Sequence, residues 1–337
     1  GALTGVVALR ERSGEGGVLD LSGGEDGGRR LAGAVGLTQG RFAVTGSLLR
    51  EQSDGYVPVR GAAAGAADTP LDLLTTSAAL RADVALDGDV AVSLRASAYD
   101  EDRGSGLAAA RSSARGHALT ATAARATQAG RIGWRAQVWR RESDFSNTSV
   151  AVAADRMSTT PANDQYATPA VGWGGNLALR RSGIDLGSGR LEWELGADAR
   201  FNRGETQELF RYMAGAFTRS RVAGGETSVI GAYAEGAWNA GPWLIAGGLR
   251  LDRWENTDGR RLERDLATGA ATLDEADADR SGQVTSARLG VRRDLGDGWA
   301  TRAAVYSGFR PATLNELHRP FRVGNDLTEA NAGLEPE

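Results

Sequence analysis

Cysteine is missing from all 337 residues, which excludes disulfide staples and thiolate metal sites and says little further about compartment. Lysine is missing as well, so all 39 basic side chains are arginines; beside so much Ala and Gly, this reads as codon bias. No apolar run reaches the roughly eighteen residues that a transmembrane helix needs. A formal net charge of −4 offers no basic face, so nucleic acid is not an expected partner. Histidine is scarce: His117 and His318 lie far apart, with no Gly-x-Ser-x-Gly nucleophile elbow and no His-Glu-x-x-His zinc motif. A Ser-His pair would have to use Ser112 or Ser307, and His117 reads more simply as a polar wall residue. No enzyme and no cofactor are expected.

What is present is a regular punctuation. Six short turns occur at Gln39-Gly40, Asp87-Gly88-Asp89, Gln128-Ala129-Gly130, Gly187-Ser188-Gly189, Asn239-Ala240-Gly241 and Gly296-Asp297-Gly298. Each separates two stretches of about ten residues in which apolar and polar side chains alternate, and longer polar stretches lie between the pairs. In 191–201, Leu191, Trp193, Leu195, Ala197, Ala199 and Phe201 share one parity; Glu192, Glu194, Gly196, Asp198 and Arg200 share the other. Period two puts these sets on opposite faces of a sheet, and so charged a face cannot meet a dry core. The same alternation runs through 242–252, where Trp243, Ile245, Gly247, Leu249 and Leu251 oppose Arg250 and Asp252, and through 299–309. It is weaker in 89–99 and 41–50.

Aromatic placement separates a membrane barrel from a soluble sandwich. Trp243 and Trp299 follow short turns immediately, Phe42 and Trp193 come a residue or two later, and Trp134 lies just beyond the third turn. All five fall on the apolar parity, as an interfacial girdle requires. A mean hydropathy of −0.33 is ordinary for a barrel with a polar interior and polar loops. The fold class predicted is an all-β, antiparallel transmembrane β-barrel.

Thirteen strands are expected, near 16–24, 28–38, 41–51, 72–86, 89–100, 113–127, 131–143, 166–181, 190–203, 226–239, 242–255, 281–295 and 298–309. With the first rising from the periplasm, the six short turns are periplasmic. The stretches 52–71, 144–165, 204–225, 256–280 and everything beyond 309 become external loops. Residue 1 starts no export signal and ANAGLEPE is no terminal barrel strand, so a segment of a longer barrel is expected. Its unpaired edges should keep this length alone from inserting stably.

The stretch 306–337, YSGFRPATLNELHRPFRVGNDLTEANAGLEPE, resembles the mid-barrel signature of TonB-dependent outer-membrane receptors. An aromatic strand leads into Arg310, Pro311, Thr313 and Leu314, then the pair Glu316 and Leu317, and finally Asn331, Leu334, Pro336 and Glu337. Pro311 precedes Ala312 where many relatives have the reverse order. GALTGVVALRER (1–12) is similar to the last strand of the family's plug domain, and EQSDGYVPV (51–59) to the loop after the third barrel strand.

The resemblance implies a 22-stranded barrel occluded by a plug. Residues 1–13 would end the plug and 14–337 would form the first part of the barrel, most of the plug and the C-terminal strands being absent. It further implies high-affinity uptake of a scarce substrate across the outer membrane of a Gram-negative bacterium. That substrate would be an iron–siderophore complex, or alternatively cobalamin or a carbohydrate. Implied partners are the TonB-system energy transducer, reached through a missing upstream region, outer-membrane lipid and lipopolysaccharide, and the chelate or vitamin itself. A passive porin-like channel is the runner-up, and a structural or adhesive barrel a distant third.

Candidate lumen or ligand groups on the inward parity are Asp198, Arg200, Arg250, Asp252 and Trp254, which read first as wall charges paired with the plug. Arg310 and Glu316 are expected to fix the root of a loop. One stretch invites a metal hypothesis: Asp277, Asp279 and Ser281 alternate before Gly282, like the opening of a calcium loop. The closing Glu is replaced by Arg288, so a solvated acidic loop is the simpler reading.

Overall fold

The computed structural model describes residues 14–128, 130–323 and 326–337, without the side chains of 322–327. The stretch 1–13, assigned above to the end of a plug, and Ala129 of the third turn lie outside the described residues. No described helix is long and apolar enough to cross a membrane.

Fifteen strands form one antiparallel sheet. They are β1 (Gly16–Gly23), β2 (Arg29–Gln39), β3 (Phe42–Ser53), β4 (Leu73–Leu86), β5 (Val90–Gly104), β6 (Arg111–Arg125), β7 (Gly133–Val152) and β8 (Thr159–Ala167). Then follow β9 (Ala170–Leu186), β10 (Gly189–Met213), β11 (Ala216–Ala240), β12 (Trp243–Asp265), β13 (Ala271–Ala276), β14 (Arg280–Gly296) and β15 (Trp299–Tyr306). β8 and β9 both lie between β7 and β10 and form one passage, interrupted at 168–169, where Pro169 has no N–H to give the ladder. β13 and β14 both pair with β12 and are interrupted at 277–279. Fifteen strands less these two interruptions leave the thirteen passages that the alternation predicts.

The short turns bend where the backbone must turn left-handed. Gly40, Gly88, Gly187, Gly241 and Gly298 all have positive φ, which costs a residue without Cβ nothing. Just above these turns the apolar parity is open on the outward face. Leu195, Leu249, Leu289 and Val305 are all exposed, and Trp299 is 76% exposed at the turn end of β15. Trp173 and Phe201 stack across β9 and β10 at 4.1 Å on the same face. A continuous exposed apolar band around a charged interior is the surface that a hydrocarbon solvent stabilises.

Away from the turns the structure departs from the expected loops. The stretches 144–165, 204–225 and 256–280 are largely strand: β10 and β11 run 25 residues each and β12 runs 23. At about 3.3 Å per residue a 25-residue strand spans about 80 Å, although about ten residues suffice to cross hydrocarbon. Ala214 and Gly215, both with positive φ, close the β10–β11 hairpin tip. Beyond the bilayer both faces meet water, so hydropathy alternation fades while ladder pairing continues. The stretch 52–71 does form a long loop, but one tied down, as described below.

Beyond β15 a short helix, α1 (Leu314–His318), packs on β11 and β12, and a small ribbon of β16 (Phe321–Val323) and β17 (Asp326–Thr328) follows. Thr313 caps α1: its hydroxyl accepts from the Glu316 N–H while the Glu316 carboxylate accepts from the Thr313 N–H.

Candidate functional site

The α1 segment identifies the inner face. Leu317 is 1% exposed, and His318 packs over Gly225 and Gly259, where added Cβ atoms would come within 2.9 Å of Nε2 and 2.5 Å of Cε1. Gly225 shares the parity of Gly231 and Tyr233 on β11, so the charged faces of β10, β11 and β12 point the same way as the segment.

On that face the structure places all five predicted lumen residues on β10 and β12, the two strands that flank β11, and joins three of them by ion pairs. Arg250 donates to Asp198 at 2.5 and 3.1 Å and through Nε to Asp252 at 2.8 Å. Asp252 is 2% exposed. The bridge crosses β11 at Gly231, whose added Cβ would lie 2.2 Å from both Arg250 Nη2 and Asp252 Oδ1, so only hydrogen leaves room for the guanidinium. Beside it, the Tyr233 hydroxyl donates to Glu194 at 2.7 Å. Trp254, buried, lies over Gly282, its partner in register. Arg200 stands apart, exposed and without an ion-pair partner among the described residues.

The same device recurs along the wall. Tyr99 lies against Gly116, Trp139 against Gly174 and Tyr233 against Gly196, each pair directly opposed across two strands. A ring folded over a glycine covers its bare backbone and holds the aromatic flat against the sheet.

A second network, absent from the sequence reading, lies higher on the inner face. Glu208 is 0% exposed and accepts from Arg221 at 2.7 Å, Arg319 at 3.0 Å and Asn163 at 3.0 Å. Arg221 also donates to Glu263 at 2.8 Å, which Arg261 reaches at 2.7 Å, and Arg261 extends to Glu329 at 2.9 Å. A carboxylate so enclosed is tolerable only because three donors saturate it. The network ties four strands, β8, β10, β11 and β12, to the segment that carries the family motif. Its members have no spacing signature, since they come from positions far apart in the chain.

The motif residues form a clasp. The Arg310 N–H donates to the Glu337 carbonyl at 2.8 Å and the Glu337 N–H returns at 3.1 Å, which closes the stretch on itself. Arg310 also pairs with the carboxylates of Glu316 at 2.9 Å and Glu337 at 2.7 Å. The Arg310 guanidinium first, then the Thr313 N–H and hydroxyl, hold the Glu316 carboxyl down to about 2. The Asn331 N–H donates to the Glu316 carbonyl at 2.9 Å, and the Leu334 N–H to the Asn331 carbonyl at 3.2 Å. Pro311 opens and Pro336 ends the closed stretch.

The three residues of the calcium hypothesis face different partners. Asp277 Oδ2 lies 2.7 Å from His318 Nδ1, Asp279 accepts from the Asp258 N–H at 3.2 Å, and Ser281 pairs in the ladder with Glu255. Among the described residues no group of three or more His, Asp or Glu side chains is arranged to hold a metal ion. Ser112 and His117 fall on opposite parities of β6, and His117 sits 3.7 Å from Glu142.

The loop between β3 and β4 is locked onto two others. Asp68, half-buried with its carboxylate covered, pairs with Arg156 of the β7–β8 turn, which lowers the Asp68 pKa, and accepts from the Gly65 N–H at 2.8 Å. The Ala67 N–H donates to the Arg156 carbonyl at 2.9 Å, and the Ala108 N–H of the β5–β6 turn donates to the Ala67 carbonyl at 2.8 Å.

Solved structures share this fold. The closed form of Fiu, a ferric-catecholate import receptor of Escherichia coli K12, matches with a TM-score of 0.70 at 13% identity, over 96% of this chain and 54% of that one. The siderophore receptor PiuA of Acinetobacter baumannii matches with a TM-score of 0.67 at 12% identity, over 90% and 51%. The copper transporter OprC matches with a TM-score of 0.69 at 19% identity, over 97% and 50%. This chain thus spans about half the length of these structures, and at such identities the likeness shows the fold. No curated protein sequence matches. The family model described as TonB dependent receptor-like, beta-barrel, matches residues 40–337. From that match over most of its length, the chain belongs to the TonB-dependent receptor family, as part of the receptor's β-barrel.

Proposed function

We propose that the chain is part of an energy-coupled receptor in the outer membrane of a Gram-negative bacterium, which captures an iron–siderophore complex from outside and passes it inward. The family match over residues 40–337 is the observation that carries this reading. The inner wall supports it chemically, for it is lined by fixed charges and flat aromatic rings. The short turns face the periplasm, and the hairpins with the 310–337 clasp stand on the outer side. Energy comes from the TonB system through residues upstream of this wall.

The likeness to the copper transporter favours a second reading, a bare copper ion. Copper seeks soft sulfur and imidazole donors. Here these are His117 on the outward parity, His318 packed against Asp277, and Met157 and Met213, both exposed. Four scattered donors do not converge, so the chelate is preferred.

Deleting the full gene tests the proposal. Growth should fail under iron chelation and recover with the intact gene, and uptake of radiolabelled ferric chelate should stop when a protonophore collapses the inner-membrane gradient. A defect confined to cobalamin, carbohydrate or copper supply would replace the substrate. Protonophore-insensitive flux of small solutes would replace the mechanism with a passive channel.

A further inference from the structure

The inner wall of β7, β9 and β10 carries a cationic patch with no role in the networks above. Two adjacent rows cross these strands, Trp139 with Gly174 and Arg200, and Arg141 with Gly172 and Asn202. The Trp139 ring lies over Gly174, whose added Cβ would stand 2.9 Å from Cζ2. Asn202 Oδ1, Arg141 Nε and Trp139 Cζ3 converge on the space above Gly172, at 3.0, 3.3 and 3.5 Å from where its Cβ would be. The Arg141 guanidinium lies 5.5 Å from the Trp139 ring centroid. Arg200 and Trp139 both line a cavity of about 710 Å³, whose other charged lining is Arg125, Arg135 and Arg180 against Asp89, Glu194 and Asp198.

Elsewhere on the same wall guanidiniums meet carboxylates: Arg180 pairs with Glu192 at 3.0 Å, and Arg250 with Asp198 at 2.5 Å. Arg141 and Arg200 meet none among the described residues. Two guanidiniums with no ion-pair partner among the described residues, set beside one flat ring, favour negative charge in the space between them. A guanidinium offers a fork of donors that fits paired oxygens, and the indole offers a face on which a planar group stacks.

We infer that Trp139, Arg141, Arg200 and Asn202 form an anion subsite, taking a chelate whose carboxylate or phenolate oxygens point at the wall. This rests on the uptake reading above and narrows it to net-negative chelates over neutral ones. The arginines bind the oxygens, the indole stacks on the planar edge that carries them, and Asn202 orients the Arg141 side.

Purified full-length receptor decides the matter, with binding of a trianionic ferric tris(catecholate) and of a neutral ferric trihydroxamate followed by tryptophan fluorescence. Wild type should bind the trianion more tightly, and added salt should weaken it. Arg141→Gln and Arg200→Gln should each weaken trianion binding about tenfold and flatten its salt dependence. The neutral chelate should be unaffected, and heat-modifiable gel migration confirms that each variant is folded. Unchanged trianion affinity, or equal weakening for both chelates, overturns the subsite and assigns these arginines to the receptor's own carboxylates. If wild type binds neither chelate, the uptake reading itself fails and the subsite falls with it.

Discussion

The lower wall and the hairpins that extend from it are built from the same antiparallel ladders, yet they place charge in opposite ways. Near Leu195, Leu249 and Leu289 one face is apolar and open, and charges such as Asp198 and Arg250 keep to the other. Higher on β10, β11 and β12, Glu208, Arg221 and Glu263 are enclosed in a mutual network. Hydropathy alternation therefore reports the solvent at each face and is not what makes the strand. Where one face meets lipid, period two is visible; where both meet water, the ladder persists without it.

The largest effect is expected in the hairpins. Glu208→Ala leaves Arg221 and Arg319 facing a buried gap, and breaking such a pair costs about 3–5 kcal/mol. Hydrogen exchange in the full-length receptor should speed up at 314–320 while the lower strands stay protected. Unchanged protection at those residues would show that the network does not hold the segment.

Next comes the lipid face. Leu249→Arg should cost about 2–4 kcal/mol, read as a lower temperature for loss of folded gel migration. Arg at the inward Asn176 should be tolerated. Equal sensitivity at both positions would erase the distinction between the faces.

Gly231→Ala is predicted to cost about 1–3 kcal/mol, because its methyl group overpacks the space that Arg250 and Asp252 occupy. The same gel assay applies, and a neutral outcome would mean that the bridge shifts freely.

The smallest effect concerns the exposed clasp. Glu316 titrates below the ordinary 4.5, at about 2, held chiefly by Arg310. Its contribution is therefore complete above about 4.5 and is lost as pH falls toward about 2. Protease sensitivity of 310–337 should rise over that window, more gently in high salt, and Glu316→Gln should flatten the profile. A wild-type profile that is already flat would remove the clasp from this role.

Against these contrasts, the legible part of the sequence is the part with a local signature. Turn glycines and lipid-facing parity gave all thirteen passages, because each depends on residues adjacent in the chain. The hairpin extensions look like loops in the sequence, since water on both faces removes the alternation that marks a strand. Asp198, Arg250 and Asp252 could be placed on the inward face by parity, but their bridge depends on Gly231 of the strand between. Glu208, Arg319 and the meeting of His318 with Asp277 join positions distant in sequence, and no spacing rule connects them.

The absence of cysteine from these 337 residues leaves their wall free for the most direct test. Single cysteines introduced at successive positions of 243–252 in the full-length receptor, spin-labelled and reconstituted in lipid, report access to oxygen dissolved in the bilayer and to an aqueous nickel chelate. Oxygen should dominate at Trp243, Ile245, Gly247, Leu249 and Leu251 and fall at the intervening positions, Arg250 and Asp252 among them, a strict alternation every second residue. Uniform exposure along the strand, or oxygen access on both parities, would contradict a wall with one face in lipid.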